Sequence, residues 1–256
     1  MDNLEFLYLM SLKPYDAIQY MTQKGYTFGW NWYQVWEEEH SKAFTVAKVM
    51  KLDILQDIRE MVQQSLNDGI TFDEFKRKLK PKLIDKGWWG KIGDVQLGSY
   101  HRLKTIYRTN LQVSYMAGKY KNFVNSTELF PYWQYDAILD KNTRPGHRVL
   151  DNLVFHYTDP FWNYFFPPND WGCRCSVRKY TKSMVEERGL DVQDSKGKIS
   201  FSMIPVGGSM KKVATYNHNG IIIKAGAGWS TNPGKNVFKP DLSKYDNDIR
   251  GLYDRD

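Results

Sequence analysis

Cysteine is nearly absent from this sequence, and long apolar runs are missing altogether. The two cysteines, Cys173 and Cys175, are separated by a single residue, a spacing that rarely permits an unstrained disulfide. A disulfide-stabilised scaffold is therefore excluded, and a reducing compartment or a metal site is favoured. No stretch approaches the roughly 18–20 apolar residues of a membrane-spanning helix, and charged residues interrupt residues 1–20. We expect a soluble chain without a signal peptide and without a membrane partner.

The sequence also lacks the standard short motifs of enzymes. It contains no Walker loop, no glycine-rich dinucleotide turn, no G-x-S-x-G elbow and no H-E-x-x-H pair. Such motifs place backbone amides, a nucleophile or metal ligands around a substrate. Their absence predicts that the chain is not an enzyme and has no small-molecule substrate.

What the sequence does contain is a high aromatic fraction, 15%, and a formal net charge of +7. A chain of 256 residues can hold one large domain or two small ones, with large rings supplying much of the buried area. A short apolar stretch covers residues 4–10. An aromatic cluster follows, which we expect to pack on the domain rather than dock a partner: Tyr26, Phe28, Trp30, Trp32, Tyr33 and Trp36.

Three helices are predicted in the first half. Apolar residues recur at helical spacing from Phe44 to Asn67, and Thr71-Phe-Asp-Glu74 has the form of a capping box that begins a second helix. Pro81 is expected to end or kink that second helix early. The pair forms a helical hairpin with a very short connection. A third helix covers roughly Tyr100 to Phe123.

The third helix is strongly basic, and residues 101–150 hold more lysine and arginine than acid. Such a surface can face DNA phosphates, an acidic protein partner or only water. The candidate DNA-binding residues on this helix are Arg102, Lys104, Arg108, Lys119 and Lys121.

Period-two alternation from Tyr132 to Leu139 predicts a strand, and residues 154–157 and 174–177 are expected to form two more. We therefore predict an α+β fold: an N-terminal helical hairpin and a long basic helix, followed by a small mixed sheet with long aromatic-rich loops. The expected divisions are a helical region at 1–98 that docks a partner, a central domain at 99–206, and a Gly/Asn/Pro-rich tail at 207–256 with one short strand at 221–223.

The segment from Asp140 to Cys175 holds the residues with the most chemistry. If Arg174 lies in a strand, Cys173 and Cys175 point to the same face. With His147 and either Asp140 or Asp151, the two thiols would supply four ligands that suit tetrahedral zinc. The alternative is two buried core cysteines and a hydrogen-bonded structural histidine.

A catalytic metal for phosphodiester cleavage, held by Asp140, His147 and His156, is a weaker alternative, because no second cluster of acids supports it. Arginines near this segment can bind phosphate, or can pair internally with Asp136, Asp140, Asp151 and Asp170. These are Arg144, Arg148, Arg174 and Arg178. The aromatic run from Phe161 to Trp171, interrupted by Pro167-Pro168, is expected to form a satellite core without a helix.

Taken in order, these motifs resemble the phage Mu F-like head morphogenesis family over roughly residues 40–245. The motifs are Phe44-Thr-Val-Ala-Lys48, Gly87-Trp-Trp-Gly90, Tyr107-Arg-Thr-Asn110, Asp140-x-x-Thr-Arg-Pro-x-His147, Pro167-Pro-Asn-x-Trp-Gly-Cys-Arg-Cys175 and Gly228-Trp-Ser-Thr-Asn-Pro-Gly234. The resemblance carries over, as signature residues, Arg108, Thr109, Asp140, Thr143, Arg144, Pro145, His147, Pro167, Pro168, Cys173, Arg174 and Cys175.

The resemblance implies a minor head protein present in few copies, with portal and capsid proteins as partners and a role in head assembly and DNA handling. It implies a place in the virion, at the head interior or portal vertex, and in the host cytoplasm during assembly. Zinc is a candidate cofactor. The alternative is a metal-dependent nuclease or ADP-ribosyltransferase-like effector centred on Asp140, His147, Cys173 and Cys175. Because the sequence stops at Asp256, soon after the last motif, we expect no fused effector domain.

Overall fold

The computed structural model describes residues 14–235, in which helices and small sheets are both present. The predicted α+β class is confirmed. The predicted apolar stretch at residues 4–10 lies outside the described residues. Among those that are described, no helix is both long and apolar enough to cross a bilayer.

From residue 14 onward the first half of the chain is mainly helical. The helices described there are α1 (Tyr15–Thr22), α2 (Glu39–Lys42), α3 (Leu52–Asp68), α4 (Phe72–Asp85) and α5 (Tyr100–Val124), with a 3-10 turn at Trp32–Gln34. Two short strands, β1 (Gly25–Tyr26) and β2 (Ala43–Phe44), pair in parallel, and β3 (Lys91–Ile92) pairs antiparallel with β4 (Val95–Gln96). The helices enclose a first core that includes Met21, Leu55, Phe75 and Leu103.

The helical hairpin of α3 and α4 forms as predicted, with Gly69 in the left-handed conformation and the Thr71 hydroxyl accepting a hydrogen bond from the amide of Glu74. The first helix begins at Leu52 rather than near Phe44, because Phe44 pairs in β2 and Lys48 has a left-handed φ of 64°. The second helix continues past Pro81, since Leu79 and Leu83 on either side are fully buried in the core.

Helix α5 packs against α1 at a point of close approach. A Cβ atom added to Gly118 would lie 2.9 Å from the backbone nitrogen of Ala17, a distance too short for any side chain. Glycine at this position therefore lets the two helix backbones come together.

The second half, as far as residue 235, contains two sheets. The first has the order β7-β5-β6-β8, formed by β5 (Tyr132–Asp136), β6 (Val154–His156), β7 (Ser176–Tyr180) and β8 (Val192–Gln193). Strand β5 pairs antiparallel with β6 and β7, whereas β6 pairs parallel with β8, so this sheet is mixed. The second sheet is antiparallel, with the order β11-β10-β9: β9 (Ile199–Val206), β10 (Ser209–His218) and β11 (Ile221–Lys224).

Two strand bounds differ from the prediction. Strand β5 ends at Asp136 because the next amide, that of Ala137, donates to the Asp151 carboxylate rather than to a strand. Strand β7 begins at Ser176, so Cys173, Arg174 and Cys175 lie in the loop before it. The ladder of β5 and β7 has its last pair at Asp136 and Ser176, so the Cys-Arg-Cys segment lies outside this strand pairing.

The expectation of one short strand after residue 207 was also incomplete. Residues 209–218 form a second strand, β10, which pairs along eight positions with β9 across the Gly207-Gly208 turn. Between residues 207 and 220, glycine and asparagine mark the two hairpin turns, at Gly207-Gly208 and Asn219-Gly220. The division of the chain at residues 98 and 206 stays a prediction.

The aromatic run after β6 contributes to the main second core, not to a satellite. Residues Phe161–Tyr164 form one helical turn, α7, which follows α6 (Pro145–Leu150), and another short helix, α8, covers Lys182–Glu187. The rings of Phe155 and Phe161 stack at 4.2 Å, and both are fully buried. The run was expected to form a satellite core because of its density of rings. Instead, those rings share one core with buried residues of both sheets.

Candidate functional site

His147, Cys173 and Cys175 meet in the interior of the second half. The Nδ1 atom of His147 lies 3.7 Å from the Cys173 sulfur and 3.5 Å from the Cys175 sulfur. All three side chains are buried, and their ligand atoms lie within 4.8 Å of one another. This is a set of two soft thiols and one imidazole, a combination that can hold a metal ion.

Local sequence explains how these residues come together. Pro145 occupies the first turn of α6, a position that suits proline, and His147 lies in that helix, aimed inward. Gly172 has a left-handed φ of 66°, and the amide of Cys173 donates to the carbonyl of Asp170, so the chain turns just before the cysteines. A turn, rather than the alternation of a strand, therefore brings the two sulfurs to the same histidine.

The two thiols are tightly coupled. Their mutual hydrogen bond lowers the pKa of Cys173 and raises the pKa of Cys175. Burial raises the pKa of the neighbouring Tyr135 well above its usual value, and its hydroxyl donates to Asn169 at 2.9 Å.

Asp140 does not belong to this group. Its carboxylate accepts hydrogen bonds from Arg174 at 2.7 Å, from the Asn142 amide at 2.9 Å and from the Thr143 hydroxyl at 3.1 Å. The bond from Arg174 holds the pKa of Asp140 well below its usual range. The predicted fourth ligand is therefore engaged in closing the 140–143 turn.

The other predicted ligands are also elsewhere. Asp151 accepts from the amide of Ala137 and from the side chain of Asn152, each at 2.8 Å. His156 contacts the Thr158 hydroxyl at 2.8 Å. Within residues 14–235, Asp140, His147 and His156 do not form a group that could share one ion.

The arginines of this region make internal contacts. Arg144 pairs with Asp170 at 2.9 Å and Arg178 pairs with Asp136 at 2.9 Å, in addition to the pair of Arg174 with Asp140. Arg148 donates to the backbone carbonyls of Thr143 and Asp140. Internal ion pairs are therefore present for three of these arginines, and the fourth, Arg148, stabilises the 140–143 turn through its two carbonyl contacts.

The five predicted DNA-binding residues have different surroundings. Arg102 is turned inward: it donates to the carbonyls of Gln96, Leu97 and Ala47, and its guanidinium lies 4.9 Å from the ring of Trp88. Lys119 donates to Ser176 at 2.7 Å, and Lys121 pairs with Asp16 at 3.0 Å. Arg108 is exposed and Lys104 is half-buried, so these two remain the best placed to meet a partner.

A second set of basic residues lies beside them on α4. The ring of Tyr100 has the ammonium group of Lys76 at 5.2 Å and that of Lys104 at 5.8 Å, so α4 and the start of α5 present one basic surface. This surface was not predicted from the sequence, although the run of basic residues at 76–82 indicates it. We define the basic surface as Lys76, Lys80, Lys104 and Arg108.

Three signature segments, residues 107–110, 167–175 and 228–234, line a cavity of about 90 Å³. Thr109, Pro168 and Trp229 contribute to its wall, together with Lys24 and His40 from the first half. The peptide bond between Pro167 and Pro168 is cis. Segments far apart in the sequence are therefore neighbours, and no motif or spacing predicted that Lys24 and His40 join them.

The N-terminal aromatic cluster is only partly covered. Trp32 stacks on Trp36 at 6.1 Å and meets the edge of Trp171 at 5.9 Å, as packing on the domain predicts. However, Tyr26, Phe28 and Trp30 are each at least 40% exposed. The cluster thus has both an inner, packed part and an outer, accessible part.

Residues 56–178 match the model of the family described as Phage Mu protein F like protein. The putative capsid assembly protein F of Escherichia phage Mu is 38% identical over 254 residues, which cover 93% of this chain and 58% of that protein. The Mu-like prophage FluMu F protein of Haemophilus influenzae is 38% identical over 229 residues, covering 84% of this chain and 55% of that protein. The chain thus spans little more than half the length of these relatives. No solved structure matches it.

Proposed function

The chain belongs to the phage Mu protein F-like family, and on this premise we propose that it is a minor head protein of a bacteriophage, active in head assembly rather than in catalysis. Its partners are the capsid and portal proteins, and its place is the head interior or portal vertex. The observation that carries the proposal is the similarity along 93% of the chain to a protein named for capsid assembly.

The exposed part of the aromatic cluster supports a protein partner. Phe28 and Trp30 are each 44% exposed and lie two residues apart in the first half. Large aromatic side chains supply much of the binding energy of protein interfaces, and grouped exposure of such rings is uncommon on a surface that meets only water. We assign this surface to the contact with the portal.

Co-expression with the portal protein of the same phage tests the assignment. The wild-type chain should co-purify with the portal and be present in purified heads, whereas the variant Phe28→Ala/Trp30→Ala should lose at least about tenfold in affinity, the effect of a single interfacial anchor. Leu129→Ala is the matched control, because Leu129 is 62% exposed on another part of the molecule. Absence of the wild-type chain from both heads and portal complexes would refute the proposal.

Contact with DNA is the second part of the proposed role. Lys76 and Lys104 lie over the ring of Tyr100, Lys80 lies 5.2 Å from the ring of Trp89, and Arg108 is exposed on the same helix as Lys104. Lysine and arginine bind phosphates without reading the base sequence, and their binding weakens as salt rises because counterions are released. The basic surface is therefore suited to nonspecific contact with packaged DNA.

Titration of duplex DNA at low and high salt tests this contact. Replacing Lys104 and Arg108 by alanine should reduce the slope of log affinity against log salt by about 2, one for each phosphate contact. Lys121→Ala is the control, since Lys121 already pairs with Asp16. Affinity that is independent of salt, or a slope unchanged in the double variant, would exclude this surface.

A further inference from the structure

We propose that His147, Cys173 and Cys175 bind one zinc ion, with a water molecule as the fourth ligand. The ion would join α6, which holds His147, to the loop before β7, which holds both cysteines. The geometry of the three side chains supports this site independently of the proposed role in the phage head.

The two distances from sulfur to nitrogen match those of a zinc site. With Zn–S bonds of about 2.3 Å and Zn–N bonds of about 2.0 Å at tetrahedral angles, a sulfur and a nitrogen ligand lie about 3.5 Å apart. The two sulfur-to-Nδ1 distances are 3.7 and 3.5 Å. An ion between the three atoms would therefore need only small shifts of the side chains.

Hydrogen bonds from one thiol to Nδ1 and from the second thiol to the first sulfur satisfy all three groups, but they do not explain why both sulfurs approach Nδ1. A neutral imidazole has one nitrogen that accepts a hydrogen bond, through a single in-plane lone pair, so Nδ1 can accept from only one thiol. Yet both sulfurs lie at similar distances from that one atom. A cation at the centre of the triangle uses the lone pairs of all three atoms at once.

The surroundings fit a zinc ion with two thiolates. His147 and Cys173 are each 5% exposed and Cys175 is 3% exposed, so solvent does not compete for the protein ligands. Two thiolates neutralise the double charge of zinc, and thiolate with imidazole is a ligand set that zinc prefers.

The fourth position has room for a solvent molecule. A cavity of about 10 Å³ adjoins the three side chains and is lined by Thr143 and Arg144, among others. This is roughly the space that one water molecule occupies. Asp140 is held by Arg174 and does not reach this position.

Metal content tests the proposal directly. We expect about one zinc ion per chain after the reduced protein is incubated with zinc and passed through gel filtration. The variants Cys173→Ser and Cys175→Ser should retain less than a tenth of that amount. Asp140→Asn and His156→Asn are the matched controls and should retain the full amount, because neither residue belongs to the cluster.

Cobalt supplies a second measurement on the wild-type chain, in case the cysteine variants fail to fold. Cobalt bound by two thiolates should give intense sulfur-to-metal charge-transfer absorption in the near ultraviolet, together with the visible bands of tetrahedral cobalt. Modification of the thiols should abolish both. Wild-type protein without bound zinc and without these bands, or zinc that stays bound in both cysteine variants, would overturn the proposal.

Discussion

Lys24 is a buried cation at the cavity lined by the signature segments, and its replacement should stabilise the protein. Lys24 is only 6% exposed, and its ammonium group lies 4.4 Å from the centre of the Tyr20 ring. Burial, reinforced by the positive charge of Arg59, lowers its pKa to about 7. Lys24→Met keeps the length and apolar character of the side chain and removes the charge.

The size of this stabilisation and its pH dependence follow from the pKa values of Lys24 in the folded and the unfolded state. Unfolded Lys24 has its ordinary pKa of about 10.4, so the unfolded state binds more protons than the folded state between pH 7 and that value. Below pH 7 the burial cost is complete, on the order of 5 kcal/mol, and at pH 9 it falls to about 2 kcal/mol. The stability of the wild-type protein should therefore rise with pH across this window, relative to the variant.

Urea unfolding at pH 7, 8 and 9 measures the effect. The stabilisation by Lys24→Met should be largest at pH 7 and should decline by about 2–3 kcal/mol by pH 9. Lys42→Met is the matched control, because Lys42 is exposed and its replacement should change stability by less than about 0.5 kcal/mol at each pH. Destabilisation by Lys24→Met at pH 7, or a difference that does not change with pH, would refute the reasoning.

Two further predictions concern the helix contact and the zinc site. Gly118→Ala should destabilise the chain by about 1–3 kcal/mol, because the added methyl group overlaps the backbone of α1. Gly189→Ala is the control for backbone strain, since Gly189 has a positive φ but open surroundings. An unchanged unfolding midpoint for Gly118→Ala would contradict the close approach of the two helices. A strong zinc chelator should lower Tm by about 5–10 °C if free zinc was near 100 times its Kd, and should leave Cys175→Ser unchanged. An equal shift in both proteins would mean that the chelator acts elsewhere.

The helices were predictable because their signals are local. The capping box at Thr71 and the glycine at position 69 specify where two helices meet, and the spacing of apolar residues specifies which side is buried. Pro81 was misjudged because the burial of Leu83, a contact with distant residues, outweighs the lost hydrogen bond. Strand β10 was missed because its partner strand, rather than its own pattern, stabilises it.

The candidate site was predictable in composition but not in arrangement. The sequence pointed to His147, Cys173 and Cys175, and the structure brings them together, whereas it directs Asp140 to Arg174. The prediction that a strand through Arg174 directs both cysteines to one face was wrong, because a turn at Gly172 brings the two sulfurs to His147. Whether the Asp140 carboxylate binds a metal or pairs with Arg174 depends on distances across the fold, and the spacing of residues along the chain does not specify those distances.

The sequence by itself determined the α+β class, the helical hairpin, the long basic helix and the family, because periodicity, caps and ordered motifs are properties of neighbouring residues. Only the tertiary structure decided which basic side chains face outward. Arg102 and Arg108 are indistinguishable in sequence, yet the first is bound to three backbone carbonyls and the second is exposed. The physical reason is that the helix fixes the direction of each side chain, while the segments packed against it, such as residues 47 and 96–97, decide what that side chain meets.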